Sequence, residues 1–312
     1  MESTPSSNAH LPGYLSDLGN AYIGHFQHTC NLQDIDYAIS YHQKVLESSC
    51  SDHANLPRWC SNLGISYLFC FRCTGNLHDI EQAISYHQRA VESTPFGHVD
   101  LPDWLSNLGN SYFCHFEHTR NLQDIDLAIS YQQTAVESTF SGNADLLGYL
   151  RNLGLSYSAC FCYIGNLQDI EHAISHLKRA MDSTAFGHAD FLACLDMLGK
   201  SYSYCFQCTG NLQDIDQAIS YHQRAVESAP SGHPAFAVYL GNLGLSYQAC
   251  FQHTGNLQDI DHAISYHQRA MESTPFGHAD FLDHLNNLGN SYCVHFEHTG
   301  NLQDIDQAIS YL

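Results

Sequence analysis

The sequence repeats itself with a fixed step of 45 residues. A Leu-Gly pair keeps this step from Gly19 to Gly289. Segments repeated at such a period are typical of solenoids, in which each unit buries its apolar face against its neighbours. The sequence therefore predicts seven copies of one unit rather than separate globular domains. The motif NLQDI, or its variant NLHDI, marks the copies at Asn31, Asn76, Asn121, Asn166, Asn211, Asn256 and Asn301.

The first half of each copy has the pattern of an amphipathic helix. In the first copy, Leu15, Leu18, Tyr22 and Phe26 fall on one face at about 100° per residue. Gly19 lies on the same face, and a glycine there favours the close approach of a neighbouring helix. The Tyr and the Phe recur in all seven copies. This stripe is therefore expected to pack inside the array.

A short turn of sequence TGN separates the two predicted helices of most copies. Its glycine suits a left-handed helix C-cap, and its asparagine suits the N-cap of the next helix. The second helix then carries Ile35, Ala38 and Ile39 at helical spacing. The first copy is expected to have helices at roughly residues 12–28 and 32–48. The predicted helical pairs cover roughly residues 11–48, 56–93, 101–138, 146–183, 191–228, 236–273 and 281–312.

These residues resemble the tetratricopeptide repeat (TPR) family. Its pattern of Leu-Gly-x-x-Tyr, a later Ala and a closing Pro is present as Leu108-Gly109-x-x-Tyr112 and as AISYHQRAVESTP, which ends at Pro95. The family's repeat has about 34 residues. The longer repeat of this chain is similar to arrays in large fungal proteins that also carry CHAT or NACHT domains. The resemblance implies an all-α fold, an α-solenoid or superhelix of seven helix-turn-helix units with the last truncated, as one array over residues 1–312.

The resemblance also implies a protein–protein interaction scaffold that binds a peptide or protein partner in a groove. It suggests the residue after Leu-Gly as one lining position. Polar and aliphatic residues alternate there, which suits an extended or helical peptide. The alternation is equally explained by gene duplication. If two neighbouring copies differed at this position without functional effect, duplicating them as a pair would repeat that difference along the chain. The seven positions are Asn20, Ile65, Asn110, Leu155, Lys200, Leu245 and Asn290.

Composition narrows the classes of partner and location. The formal charge is -21, from 32 acidic and 11 basic residues, which argues against a nucleic-acid partner because phosphate binding needs clustered Lys and Arg. No apolar run approaches the roughly 18 residues of a membrane span. The 13 cysteines are an odd number without a secretory signal, which favours reduced thiols and a cytoplasmic protein.

The sequence contains no motif of a catalytic or cofactor site. It has no Gly-rich phosphate loop and no nucleophile elbow. A residue copied seven times is also a poor candidate for a single active site. We therefore expect no enzymatic activity, no catalytic residue and no cofactor.

His and Cys residues flank the helix phenylalanine at spacing i, i+3 and suggest an alternative, a metal-binding protein. On the helix, the first member of each pair lies about 75° from the packing stripe and the second about 135°, so the second is expected to face solvent. The related arrays tend to carry Arg here, so loss of arginines in a repetitive gene also explains the pairs. The candidate ligands are His25, His28, Cys70, Cys73, Cys205 and Cys208.

Acidic residues recur at the start of each second helix, from Asp34 and Asp36 to Asp304 and Asp306. Carboxylates are favourable in the first turn because of the helix dipole. We expect them to form a solvated edge. Alternatively, they attract a basic partner.

The two ends of the sequence lack polar capping repeats. This pattern is expected to leave apolar residues of the final copy partly uncovered and to favour self-association through the C-terminal helix. It also suggests a segment of a longer array or a truncated gene model. The resemblance to the fungal arrays leaves a further alternative, a sensor or regulatory fragment of a larger CHAT- or NACHT-containing protein. The residues concerned are Leu288, Tyr292, Phe296, Ile305, Ala308 and Ile309.

Overall fold

The structure, a computed structural model, describes residues 11–48, 53–140, 142–183, 189–230 and 232–311. These residues form 14 helices and no strand. None of the helices described is long and apolar enough to cross a membrane. The helices are α1 (Leu11–Thr29), α2 (Leu32–Glu47), α3 (Leu56–Thr74), α4 (Leu77–Glu92), α5 (Leu101–Thr119), α6 (Leu122–Glu137), α7 (Leu146–Ile164), α8 (Leu167–Asp182), α9 (Ala189–Thr209), α10 (Leu212–Ser228), α11 (Phe236–Thr254), α12 (Leu257–Glu272), α13 (Phe281–Thr299) and α14 (Leu302–Tyr311).

Each copy consists of two helices that pack against each other across a short turn. We call the odd-numbered helices A helices and the even-numbered ones B helices. The bounds of α1 and α2 lie within one residue of those expected from the sequence. The all-α solenoid predicted from the repeat is confirmed.

The chain divides into two compact units, residues 1–156 (unit 1) and 157–312 (unit 2), and the division falls within α7. In unit 1, α2 packs on α3 and α4 packs on α5. In unit 2, the B helices α8, α10 and α12 pack in the same way on α9, α11 and α13. A single array over residues 1–312 stays a prediction.

The turn between the A and B helices has the predicted caps. Gly75 ends α3 with φ 67°, and its N–H donates to the Phe71 carbonyl at 2.7 Å. The Asn76 side chain then accepts a hydrogen bond from the backbone N–H of His78 at 3.2 Å. A left-handed residue followed by an Asn N-cap reverses the chain, because both cap types satisfy backbone groups left free at helix ends.

The predicted apolar stripe forms most of the core. Leu63 and Leu108 are 0 % exposed, whereas the equivalent Leu18 is 40 % exposed. Gly64 permits a close contact, since a Cβ atom there would lie 2.5 Å from the ring of His87 on the B helix of the same copy. This close approach of a neighbouring helix was expected from the sequence.

The expectation for the final copy is only partly correct. Ile309 is 70 % exposed and Phe296 is half-buried, as expected. Ala308 and Leu288, however, are 1 % and 0 % exposed. They are covered because α13 and α14 pack against each other and α12 packs on α13.

Candidate protein-binding surface

Successive A helices are neighbours within each unit. In unit 1, α1 contacts α3 and α3 contacts α5; in unit 2, α9 contacts α11 and α11 contacts α13. Short polar side chains join them, as where Asn62 Nδ2 donates to Ser16 Oγ at 3.2 Å. Successive B helices do not pack against each other in the described parts of either unit. The A helices therefore present one continuous surface in each unit.

None of the seven residues predicted to line a groove lies in the core. Ile65, Asn110 and Lys200 are half-buried. Leu155 and Leu245 are 41 % and 44 % exposed. The remaining two, Asn20 and Asn290, are exposed. Their positions suit a binding surface, and a binding role for them stays a prediction.

In unit 1, Asn110 and Leu155 line the same cavity, of about 450 Å³, between α3, α5 and α7. Phe113 adds apolar surface to it. The side-chain oxygen Oδ1 of Asn110 accepts a hydrogen bond from Gln132 Nε2 at 3.0 Å. Among the described residues its amide N–H groups have no partner, so they can donate to a molecule in the cavity.

Positively and negatively charged side chains also line this cavity. Arg72 contributes a guanidinium group, and its Nη2 lies 3.6 Å from the Sγ of Cys114. Burial raises the pKa of the Glu117 carboxyl, and Arg120 and Arg72 oppose this shift. Burial also raises the pKa of the Cys114 thiol, so the thiol is protonated at neutral pH and is a poor nucleophile.

In unit 2, Lys200 and Leu245 line a smaller cavity, of about 170 Å³, between α9 and α11. Lys200 Nζ forms an ion pair with Asp196 Oδ2 at 2.8 Å. Asn242 Nδ2 donates to the other oxygen of Asp196 at 2.7 Å. The charge of Lys200 is therefore largely balanced within the unit, whereas the polar groups of the unit 1 cavity remain more available.

The first member of each His/Cys pair faces an acidic residue of its own copy. His25 Nδ1 lies 2.7 Å from Asp34 Oδ2. The fourth copy breaks the pair pattern with Tyr163 in the second position, but its Cys160 Sγ likewise donates to Asp169 Oδ2 at 3.4 Å. Burial and a hydrogen bond to Asp79 raise the pKa of Cys70 to about 11. A thiol held in this way is a poor metal ligand, because metals bind the thiolate. The His contact recurs at 2.8 Å for His115 with Asp124 and for His295 with Asp304.

The second member of each pair faces solvent, as the helical spacing predicted. His28, Cys73 and Cys208 are all exposed. The two members of a pair therefore diverge. The described residues contain no group of three or more His, Cys, Asp or Glu side chains that could hold a metal ion, so the metal-binding alternative gains no site from them.

The expectation of a solvated acidic edge is wrong for four of its residues, which are buried. Asp36 and its equivalents are exposed, but Asp34 is only 5 % exposed. Its carboxylate accepts hydrogen bonds from Thr29 Oγ1 at 3.3 Å and from the His25 ring. Donors on the A helix thus compensate for its burial. The other buried members of this row are Asp79, Asp124 and Asp304.

A row of buried histidines was missed by reasoning from the sequence. His42, His87 and His222 are 0–1 % exposed and face the A-helix glycine of their own copy. His42 Nδ1 lies 2.9 Å from the hydroxyl of Ser66 in the next copy. The signal was present, because His42 continues the spacing of Ile35 and Ala38 on the apolar face of the B helix.

The backbone is similar to several solved structures. The C-terminal part of a TPR repeat-containing protein from Cytophaga hutchinsonii is 15 % identical, with 95 % of this chain and 98 % of that chain covered and a TM-score of 0.57. A thermophilic TPR protein from Thermus thermophilus is 16 % identical, with 74 % and 98 % covered and a TM-score of 0.51. The fold is that of a TPR array.

A further structure with a similar backbone is one chain of the APC/C hetero-tetramer Cut9-Hcn1. The identity is 14 %, the TM-score is 0.53, and 97 % of this chain and 53 % of that chain are covered. No protein-family model matches the sequence, and no curated protein is similar to it in sequence. A structural likeness at such low identity shows the fold alone. The CHAT or NACHT context suggested by the repeat length therefore stays a prediction.

Proposed function

We propose that this TPR array is a protein-interaction scaffold and that the A helices of unit 1 bind an extended or helical segment of a partner protein. The observation that carries the proposal is the cavity of about 450 Å³ between α3, α5 and α7, which combines apolar surface with an amide and two opposite charges. Binding sites of this kind use apolar contacts for affinity and a few polar groups for orientation.

Each lining group has a specific role in this proposal. The amide of Asn110 donates to a backbone carbonyl of the bound segment. Phe113 and Leu155 accept an apolar side chain, while Arg72 and Glu117 pair with charged side chains at either side. A chain of similar fold is part of the Cut9-Hcn1 hetero-tetramer, which supports a role for an array of this type as one member of a protein complex.

The proposal assigns no catalytic residue and no cofactor. It includes a cytoplasmic location, because 13 cysteines, an odd number, favour reduced thiols over a disulfide framework.

Peptide selection tests the proposed groove. A phage-displayed library of random peptides is selected on the wild-type protein, and the selected peptides are then titrated against the double variant Asn110→Ala, Leu155→Ser. Loss of one hydrogen bond and one apolar contact is expected to weaken binding by about tenfold or more. Circular dichroism should show unchanged helicity, because both side chains are outside the core.

The matched control changes the same types of side chain on another surface. Leu122→Ser with Gln123→Ala removes an exposed leucine and an exposed amide from the start of α6. The selected peptides should bind this control like the wild type. Peptides that bind the groove variant as tightly as the wild type would refute the proposal.

A further inference from the structure

Two loops of unit 1 hold large apolar side chains in solvent. Phe96 is 97 % exposed, Val99 is 78 % exposed, and Phe140 on the next loop is 71 % exposed. All three line one cavity of about 640 Å³ where these loops meet the C-terminal end of α6. Burying exposed phenylalanine side chains is favourable, so a cluster of exposed apolar side chains around a cavity marks an interaction surface. We call it the loop cavity.

Backbone hydrogen bonds fix the first loop in this conformation. The His98 N–H donates to the Pro95 carbonyl at 3.1 Å, and the Leu101 N–H donates to the His98 carbonyl at 3.1 Å. Gly97 has φ 83°, a value that glycine adopts without strain. Phe96 and Val99 are thus held outward on a pre-organised loop, which lowers the entropic cost of binding.

The described residues of the second loop are held in a similar way. Thr139 Oγ1 donates to the Ala135 carbonyl at 2.7 Å at the end of α6. Beyond Phe140, the Asn143 N–H donates to the Phe140 carbonyl at 3.2 Å. Both walls of the loop cavity are therefore anchored to helix ends.

One carboxylate lines the loop cavity, and others are close to its lining residues in the chain. Glu137 lines it, and Asp100 lies between the lining residues Val99 and Leu101. Asp103 follows on α5 and accepts a hydrogen bond from the Tyr149 hydroxyl. The surroundings of the cavity are therefore acidic.

Asp100, Asp103 and Asp145 are close enough to influence one another. Burial raises the pKa of Asp103, and the charges of Asp145 and Asp100 raise it further, against opposing effects of the Tyr149 hydrogen bond and of Arg58. Arg58 Nη2 pairs with Asp100 Oδ2 at 3.3 Å. Several negative charges therefore share one guanidinium group, and an additional cation would be stabilised here.

We propose that the loop cavity docks a basic segment of a different protein, with an apolar side chain inserted beside Phe96 and Phe140 and flanking Lys or Arg side chains against Asp100, Asp103 and Asp145. Charge complementarity selects this occupant. Binding of a second molecule of this protein is disfavoured because each molecule carries a net charge of -21. The site lies on the loops and goes beyond the A-helix surface proposed above.

Three synthetic peptides of equal length provide the test. One alternates Lys with Phe, one alternates Glu with Phe, and one alternates Lys with Ser. Binding of the labelled peptides to the full chain is measured by fluorescence anisotropy at several salt concentrations. The Lys/Phe peptide should bind with an affinity that falls as salt rises, and the other two should bind about tenfold more weakly or worse.

Two variants examine the cavity itself. The double variant Phe96→Ser, Phe140→Ser should weaken binding of the Lys/Phe peptide by about tenfold or more, because the apolar contacts are lost. Asp145→Asn should weaken binding of this peptide less and should reduce the dependence of its affinity on salt. Circular dichroism should be unchanged, because all three side chains are exposed.

Matched controls separate specific docking from general attraction to an acidic protein. Phe276→Ser removes a phenylalanine that is 92 % exposed on a loop of unit 2. Asp126→Asn removes an exposed carboxylate about 16 Å along α6 from Glu137. Neither control should change the affinity, and nor should Asn110→Ala with Leu155→Ser. Equal losses in the cavity variants and the controls, or equal binding of the Lys/Ser peptide, would overturn the proposal.

Discussion

At the scale of single residues, buried histidines join successive copies. Ser111 Oγ donates to the Asn107 carbonyl at 3.1 Å, so the His87 ring, with Nδ1 at 2.8 Å from the same hydroxyl, is best placed to donate to it. His87 Nε2 then carries a buried lone pair with no partner of hydrogen-bond geometry in the described residues. A proton on that nitrogen would be a buried charge that the Ser61 backbone stabilises only weakly, so burial disfavours it.

This arrangement predicts that the protein is less stable in mild acid. Burial lowers the pKa of His87 to about 4, against a smaller opposing effect of the Ser61 backbone, and burial likewise lowers the pKa values of His42 and His222 to about 4. Between about pH 6.5 and pH 4 the unfolded chain binds protons at these rings and the folded chain does not. The free energy of unfolding should therefore fall as pH drops through this range, by at most about 3 kcal/mol for each histidine. Urea unfolding at pH 7 and pH 5 measures the change.

The third copy supplies a non-titrating residue for comparison, because Gln132 occupies the position equivalent to His87 and is 1 % exposed. His87→Gln should reduce the difference in unfolding free energy between pH 7 and pH 5. His78→Gln removes an exposed histidine and should leave that difference unchanged. Identical pH profiles for the wild type and His87→Gln would show that His87 is not responsible.

At the scale of the helices, the A-to-B turn requires a left-handed residue. Five described turns use glycine there, but Cys30 and Arg120 take the same position with φ 55° and 59°. A residue with a Cβ atom is strained in this conformation by roughly 1 kcal/mol. The Cys30 N–H still donates to the Phe26 carbonyl at 2.7 Å, so the turn itself is retained.

Replacing Cys30 with glycine should therefore stabilise the protein. The expected gain is about 1 kcal/mol, because the left-handed strain is relieved and the cap hydrogen bond is kept. The reverse change at an equivalent site, Gly255→Ala, should destabilise by a similar amount, since nothing lies within 4 Å of the added Cβ atom and only the backbone is strained. Chemical denaturation of both variants checks the prediction. A loss of stability in Cys30→Gly would contradict it.

Local sequence was sufficient to predict these turns and the helices that they join. The caps depend on residues that are adjacent in the chain, and the helices depend on spacing within one segment. The contrast between Asp34 and Asp36 was beyond such reasoning, because both lie in the first turn and only the donors on α1 decide which is buried. The loop cavity was missed for the same reason, since Phe96 and Phe140 are brought together by the packing of different copies.

At the scale of the whole molecule, two opposing effects act on the association of one protein molecule with another. Leu302 and Ile309 of α14 are each 70 % exposed and offer apolar surface to another molecule. The net charge of -21 on each molecule opposes contact between molecules. Salt screens the charge and leaves the apolar attraction in place.

We therefore expect self-association through α14 that strengthens as salt is raised. Light scattering at several protein and salt concentrations measures the average mass. Ile309→Lys should shift the protein towards monomer at high salt, because it places a strongly hydrated charge on the apolar surface. Leu257→Lys adds the same charge at a site on α12 that is 45 % exposed, and it should leave the association nearly unchanged. A protein that stays monomeric at high concentration and high salt would refute association through α14, and equal effects of the two lysine variants would assign the change to net charge alone.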